Sequence, residues 1–286
     1  MQLLDRGGQL AARPTPNPTI SPGWANNDLT QSTAPTVSDP DFLNGLAAEI
    51  IAVLTAAGQT PSKTNTTQLL TSLTALYGPG RLLNVQEFTA SGTYTATAGT
   101  NKVRVTVIGG GGAGGGAPAT GSGQYAVGGG GAAGGIGQGV YTSGFNGVTV
   151  TIGAAGTGVA GAAGNPGGTS SFGALLSAPG GNGGSVAGPG TGTLNAAGGT
   201  SGTIPAGGNL LNVPGQPGGQ GWGFVGASLC NGGDGGSTTL GGGGRWPNLP
   251  ATGLGTGGAG TSLLASSSAA TGLAGRPGIV IVEEFS

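Results

Sequence analysis

The chain has 286 residues, of which 70 are glycine and 18 proline, and it carries eight basic against nine acidic side chains. A formal net charge of -1 with so few cations excludes a nucleic-acid-binding surface, whose phosphates demand a basic face. The absence of histidine and the single cysteine, Cys230, exclude histidine-based acid–base catalysis, zinc clusters and an intrachain disulfide.

Residues 1–40 place Pro14, Pro16, Pro18, Pro22, Pro35 and Pro40 among polar residues and are expected to form an extended attachment arm. The start lacks the apolar core of a signal peptide, and no run of about 18 apolar residues suggests a spanning helix. Residues 41–80 predict a two-helix oligomerisation module. The first helix has Asp39 or Asp41 as cap, Phe42, Leu46, Ile50, Val53 and Leu54 on its stripe, and Gly58 as terminator. In the second, Thr64 or Asn65 is the expected cap, Leu69, Leu70, Leu73, Leu76 and Tyr77 the apolar face, and Gly78 and Pro79 the stop. Two helices this short cannot make a stable core alone. Self-association is therefore expected, with Leu46, Ile50, Val53, Leu69, Leu73 and Leu76 as the trimerisation candidates.

Residues 81–286 predict a mainly β domain with long glycine-rich excursions. Strand patterns fall at Val85 to Phe88, at Gly92 to Thr95, and where Val103, Val105 and Val107 alternate with Lys102, Arg104 and Thr106. They return at Val148 to Ile152, around Thr169 to Leu176, and at Gly278 to Phe285, a terminal strand expected to rejoin the first sheet. Between them glycines recur in threes, as at Gly158, Gly161, Gly164 and Gly167. That period suits short polyproline-II helices whose glycine edge faces a neighbouring backbone. A collagen triplet would persist, and this one breaks after a few turns. Since ordering glycine costs roughly 1–2 kcal/mol per residue or more, only dense packing and near-complete hydrogen bonding would hold such a bundle together.

Gly110, Gly112 and Gly115 fit the spacing of a dinucleotide-binding loop, but no helix follows them and the next acidic residue is Asp234. They are assigned instead, with Gly158, Gly161, Gly164 and Gly167, as structural glycines. No cofactor, metal or catalytic residue is expected. Glu283 and Glu284 alternate on the last strand and are expected at the surface, as is Asp234, which is placed to order a loop. Cys230 is expected to be a small buried or half-buried residue. Phe145, Phe172 and Phe224 are assigned to the core as the large side chains among glycines. Tyr125, Tyr141, Trp222 and Trp246 lie nearer loops and, with Arg245 and Asn248, form the candidate receptor-binding set.

The stretches "NVQEFTASGTYTATAGTNKVRVTVIGGGGAGGG", "GGTSSFGALLSAPGG" and "GRPGIVIVEEF" resemble the glycine-rich C-terminal domains of tail fibre and adhesin proteins of tailed bacteriophages and prophages. The stretch "VSDPDFLNGLAAEIIAVLTAAGQTPSKTNTTQLLTSLTAL" is similar to the short helical module that precedes such domains. The resemblance implies a non-enzymatic virion protein of the distal tail: an intertwined or parallel homotrimer, with a polyproline-II bundle or sandwich presenting loops to the host. Its implied partners are a host surface receptor, whether polysaccharide, outer-membrane protein or pilus, and tail or baseplate proteins met by the N-terminal arm. A structural tail component without receptor contact is one alternative. A polysaccharide-degrading tailspike is another, and the absence of charge from Val105 to Gly233 leaves it without paired carboxylates.

Overall fold

A computed structural model describes residues 40–78, 80–224 and 229–286. The expected arm through Asp39 lies outside what is described, as do the side chains of Asp41 and Phe42, and Asp41 falls inside the first helix rather than at its cap. The chain parts into two compact units at Arg81 and Leu82.

In the first unit helix α1 spans Pro40–Ala56 and helix α2 spans Gln68–Tyr77. Gly58 ends α1 with a positive φ of 71°. The Gln59 N–H donates to Leu54 and the Gly58 N–H to Thr55, the pairing that satisfies the last carbonyls of a helix. Thr67, not Thr64 or Asn65, stands at the start of α2. Asn65 Oδ1 instead accepts from the Thr67 N–H at 3.0 Å, forming a turn just ahead of the helix. The face α2 buries is Gln68 and Ser72 rather than its leucines. Gln68 ties down the connecting loop, donating to the Thr60 carbonyl at 2.7 Å and accepting from the Ser62 N–H at 2.9 Å. Ala47 and Leu54 are the buried apolar residues of α1, Ile50 and Val53 are half-buried, and Leu46, Leu69, Leu70, Leu73, Leu76 and Tyr77 are exposed.

The second unit is mainly β. A five-stranded antiparallel sheet runs in the order Leu82–Phe88, Ile279–Phe285, Lys102–Ile108, Ile136–Tyr141, Leu211–Val213. The terminal strand thus lies between the first strand of the domain and Lys102–Ile108, pairing with both. A four-stranded sheet contains Gly92–Thr93, Thr149–Thr151, Ser170–Phe172 and Leu176–Ala178. The region around Thr169 to Leu176 is therefore two strands joined by a tight turn at Gly173. The sheets share one core, with Val103, Val105, Val107, Val280 and Val282 from one and Val150, Phe172, Leu176 and Ala178 from the other, joined by Tyr94 and Phe145. Tyr94 and Phe172 meet at 5.3 Å between ring centroids.

Beyond these strands the chain continues into glycine-rich legs with a different hydrogen-bond rule. In 109–117 the N–H groups of Gly110, Ala113 and Gly116 donate to Gly168, Asn165 and Ala162. Those of Gly111, Gly114 and Ala117 donate to Arg276, Leu273 and Ala270, and those of Gly109, Gly112 and Gly115 to Gly135, Ala132 and Gly129. Every third donor meets the same neighbour, whose numbering falls by three, so one leg is bonded to three antiparallel legs. Leg 128–135 repeats the scheme: Gly129, Ala132 and Gly135 donate to Ser185, Asn182 and Pro179, while Gly131 and Gly134 donate to Gly258 and Gly255.

Steric contact explains why these positions are glycine. A Cβ built at Gly110, Gly112, Gly115, Gly158, Gly164 or Gly167 would lie within 3.0 Å of a backbone carbonyl oxygen of an adjacent leg. Gly161 differs from that group, since its φ is 68° at a turn within the triplet and a Cβ there would come no nearer than 3.2 Å to its neighbours.

Candidate functional site

The legs lead away from the sandwich to two three-stranded sheets. One runs Leu194–Ala196, Gly221–Phe224, Leu229–Asn231; the other runs Ser262–Leu263, Tyr125–Gly128, Val186–Gly190. They enclose a small second core of Tyr125, Val127, Ala196 and Cys230, against which Leu194 and Ala187 pack.

In the strand Gly221–Phe224 the buried positions are the glycines and the exposed positions are the aromatics. A Cβ at Gly223 would meet Tyr125 Cε2 at 2.6 Å, so the missing side chain makes room for the tyrosine ring beneath. Trp222 and Phe224 consequently stand on the outer face, 41% and 47% exposed. Their rings are parallel to within 4°, with centroids 6.3 Å apart. Trp222 lies between its cross-strand partners Asn195 and Asn231, and Phe224 lies opposite Leu229, which is also exposed. Directly opposed residues of an antiparallel pair share a face, so two amides border the indole and an apolar side chain borders the phenyl ring.

The segment Arg245 to Leu249 forms a separate hairpin. Arg245 and Leu249 exchange backbone hydrogen bonds at 2.9 and 2.8 Å, closing a hairpin with Asn248 at φ 58°. Asp234 orders it, accepting from the Trp246 N–H at 2.9 Å and lying 3.9 Å from the Arg245 guanidinium. The indole Nε1 of Trp246 donates to Ser262 Oγ at 2.9 Å, and its Cδ1 lies 2.9 Å from where a Cβ of Gly232 would stand. Trp222 pairs with Asn231 whereas Trp246 touches the next residue, Gly232, and consecutive strand residues face opposite ways, so the two indoles do not share the face of Asn231.

Of the expected receptor-binding residues, Trp222 is exposed on the aromatic sheet and Arg245, Trp246 and Asn248 are exposed on the hairpin. Tyr125 is not a surface ring: it is 8% exposed, fills the space over Gly223, and donates its hydroxyl to the Gly192 carbonyl. Tyr141 belongs to the five-stranded sheet, half-buried, with its hydroxyl donating to Leu175 at 3.1 Å and Gly207 at 2.9 Å. Phe145 and Phe172 are buried as expected, but Phe224 is a surface residue, because glycine and not phenylalanine occupies the inward positions of its strand.

Glu284 is a further correction, being fully buried rather than a surface carboxylate. Its Oε1 accepts from Tyr94 Oη at 2.7 Å, Gln86 Nε2 at 2.8 Å and the Thr97 N–H at 3.3 Å. Burial alone would raise its pKa, but these donors together hold it below the ordinary carboxylate value. Burial and the bond to Glu284 in turn push the Tyr94 phenol upward. Glu283, on the opposite face, forms a two-pronged ion pair with Arg104, with Nη2 at 2.6 Å from Oε1. Glu284 thus joins three segments of the sandwich and plays no part in the aromatic surface.

Among the described residues no group of three or more acidic or cysteine side chains could hold a metal ion, and no helix is long and apolar enough to cross a membrane. No protein-family model matches the chain, and comparison with curated proteins returns no match.

Proposed function

We propose that this chain is a receptor-binding protein of a bacteriophage or prophage tail, a virion protein that attaches the tail to the host cell surface without catalysing a reaction. The single observation carrying this reading is the pair Trp222 and Phe224, two large aromatic side chains held outward by a strand whose inward residues are glycines. Leaving large rings in water has no folding benefit, whereas aromatic side chains dominate binding energetics at interfaces.

The legs are, in this reading, left-handed polyproline-II helices. With three residues per turn such a helix offers three edges, which accounts for hydrogen bonds that go in threes to three neighbours. At its rise, the eight residues from Gly128 to Gly135 span about 25 Å, carrying the aromatic sheet away from the sandwich. A scaffold with backbone bonded on all sides keeps the outer loops in fixed register and limits the ordering cost of binding.

The exposed leucines of α1 and α2 are the proposed seam of a homotrimer. Leu46, Leu69, Leu73 and Leu76 stay exposed in a single chain and would be covered at a threefold axis. Residues 1–40 are the proposed attachment to tail or baseplate proteins.

The test is adsorption of purified full-length protein to bacterial cells and competition with phage infection, alongside its mass in solution. The expected result is saturable cell binding by a particle of three chains. A protein that binds no cells and is found enclosed within the tail would establish the purely structural role instead, and a monomer would remove the proposed seam.

A further inference from the structure

We propose that the Trp222–Phe224 face binds a neutral polysaccharide, an inference that rests on the receptor-binding reading and names the receptor chemistry. One face of a pyranose ring is a patch of C–H groups, which packs on an aromatic plane, while its hydroxyls radiate from the rim and need donors and acceptors at the ring's edge. The strand supplies both. Trp222 and Phe224 stack with their rings parallel to within 4° and centroids 6.3 Å apart, so together they form one ordered apolar block on which the C–H face of a sugar can pack. Asn195 and Asn231 flank the indole on both sides, and each amide offers a carbonyl acceptor and two N–H donors, a match for neighbouring hydroxyls. Asn195 Nδ2 is only weakly engaged, 3.5 Å from Gln220 Oε1, and the Asn231 amide has no hydrogen-bond partner among the described residues.

Charge decides which glycans fit. No residue from Val105 to Gly233 carries a formal charge, and the nearest charges in sequence, Asp234 and Arg245, face each other at 3.9 Å. An acidic glycan would therefore find no free cation in the sheet itself, whereas a neutral one requires none. A protein receptor is less well matched, because the strongest protein contacts set an anchor in a dry apolar surround. Here the larger ring has amides on both flanks. Recognition should accordingly be insensitive to salt, since screening acts on charges.

The experiment measures retention of the full-length protein on immobilised neutral and anionic bacterial surface polysaccharides, and adsorption to cells bearing them, untreated or pretreated with periodate or protease. The variants are Trp222→Ala, Trp222→Phe and Asn231→Ala, with Leu210→Ala as an exposed control and thermal unfolding as the check on folding. The expected result is salt-independent retention on at least one neutral polysaccharide, lost about tenfold or more in Trp222→Ala and largely kept in Trp222→Phe. Cell adsorption should fall with periodate, which cleaves vicinal diols, and survive protease. Retention on anionic polysaccharides alone, or full retention by a folded Trp222→Ala, overturns the inference. Adsorption abolished by protease but unaffected by periodate also overturns it while leaving the receptor-binding function in place. No retention and no adsorption overturns both.

Discussion

The sandwich and the glycine legs are continuous along the chain yet are held together by opposite means. In the sandwich, side chains fill the space between sheets, and Val105, Phe172 and Val282 lie in a conventional apolar core. In the legs there is little side chain to bury, and backbone packs on backbone with hydrogen bonds leaving each leg toward three neighbours. The sandwich is stabilised by atoms it contains and the legs by atoms they lack. Substituting one residue of each kind therefore probes two different forms of close packing.

The largest effect is expected from adding one carbon to a leg. At Gly131 a Cβ would run into the carbonyls of Gly112 and Ala113, while its N–H donates to Gly258 and its carbonyl accepts from Gly236. No flexible side chain can yield, so relief requires parting legs that share hydrogen bonds. Gly131→Ala should cost more than about 4 kcal/mol, the range of severe core damage, and is expected to abolish cooperative thermal unfolding of the glycine-rich unit. Phe172→Ala tests the other side by removing six carbon atoms. Its ring is fully buried beside Tyr94, so a loss of about 3–5 kcal/mol is expected in denaturant unfolding, with the fold retained. If the glycine substitution proved milder than the phenylalanine one, the legs would be looser than their bonding implies.

This difference also governs what the sequence discloses. Lys102–Ile108 is legible because valine and polar residues alternate and the valines point inward. Ile136–Tyr141 has the same alternation of burial, but Gly137 and Gly139 occupy its buried positions. A Cβ at Gly137 would meet Leu176 Cδ1 at 2.8 Å, and one at Gly139 the ring of Tyr141, so the space is filled by a distant segment at Gly137 and by the strand's own tyrosine at Gly139. The inward positions of this strand thus carry no hydrophobic period of their own to be read locally. Gly221–Phe224 inverts the signal, and an aromatic among glycines, taken for a core residue, is a surface one. Gly112 and Gly164 were legible as close-contact positions from the triplet, whereas the neighbours they touch depend on long-range pairing. The burial of Glu284 was hidden for a similar reason: its donors Gln86, Tyr94 and Thr97 lie almost two hundred residues earlier in the chain.

Glu284 sharpens the comparison from within the sandwich, where a polar group performs a task the legs assign to backbone. Its folded pKa lies below the ordinary value, so the unfolded chain binds more protons in the interval between the two. Its contribution to stability is therefore complete above the usual carboxylate range and is lost as pH falls through the folded value. Glu284→Gln should lower stability at neutral pH by about 1–3 kcal/mol, since it offers a neutral oxygen to the three donors that meet Oε1 and buries two N–H donors where Oε2 has no partner. It should also flatten the acid limb of the stability curve, measured as denaturant midpoint against pH. An unchanged acid limb would assign that dependence to other carboxylates.

The smallest effect is expected where glycine stands in the sandwich rather than in a leg. Gly92 begins the short strand paired with Thr149–Thr151 and is exposed, with nothing within 4 Å of a built Cβ and no positive φ. Alanine there meets no carbonyl and needs no strained backbone, so its main action is on the unfolded chain, which loses freedom. Gly92→Ala should leave stability unchanged or raise it by up to about 1 kcal/mol, read as a small increase in denaturant midpoint. The same added methyl would then stabilise one region and disrupt the other. That change of sign would attribute the cost at Gly131 to crowding by neighbouring backbone, because removing a glycine as such would have acted alike at both positions.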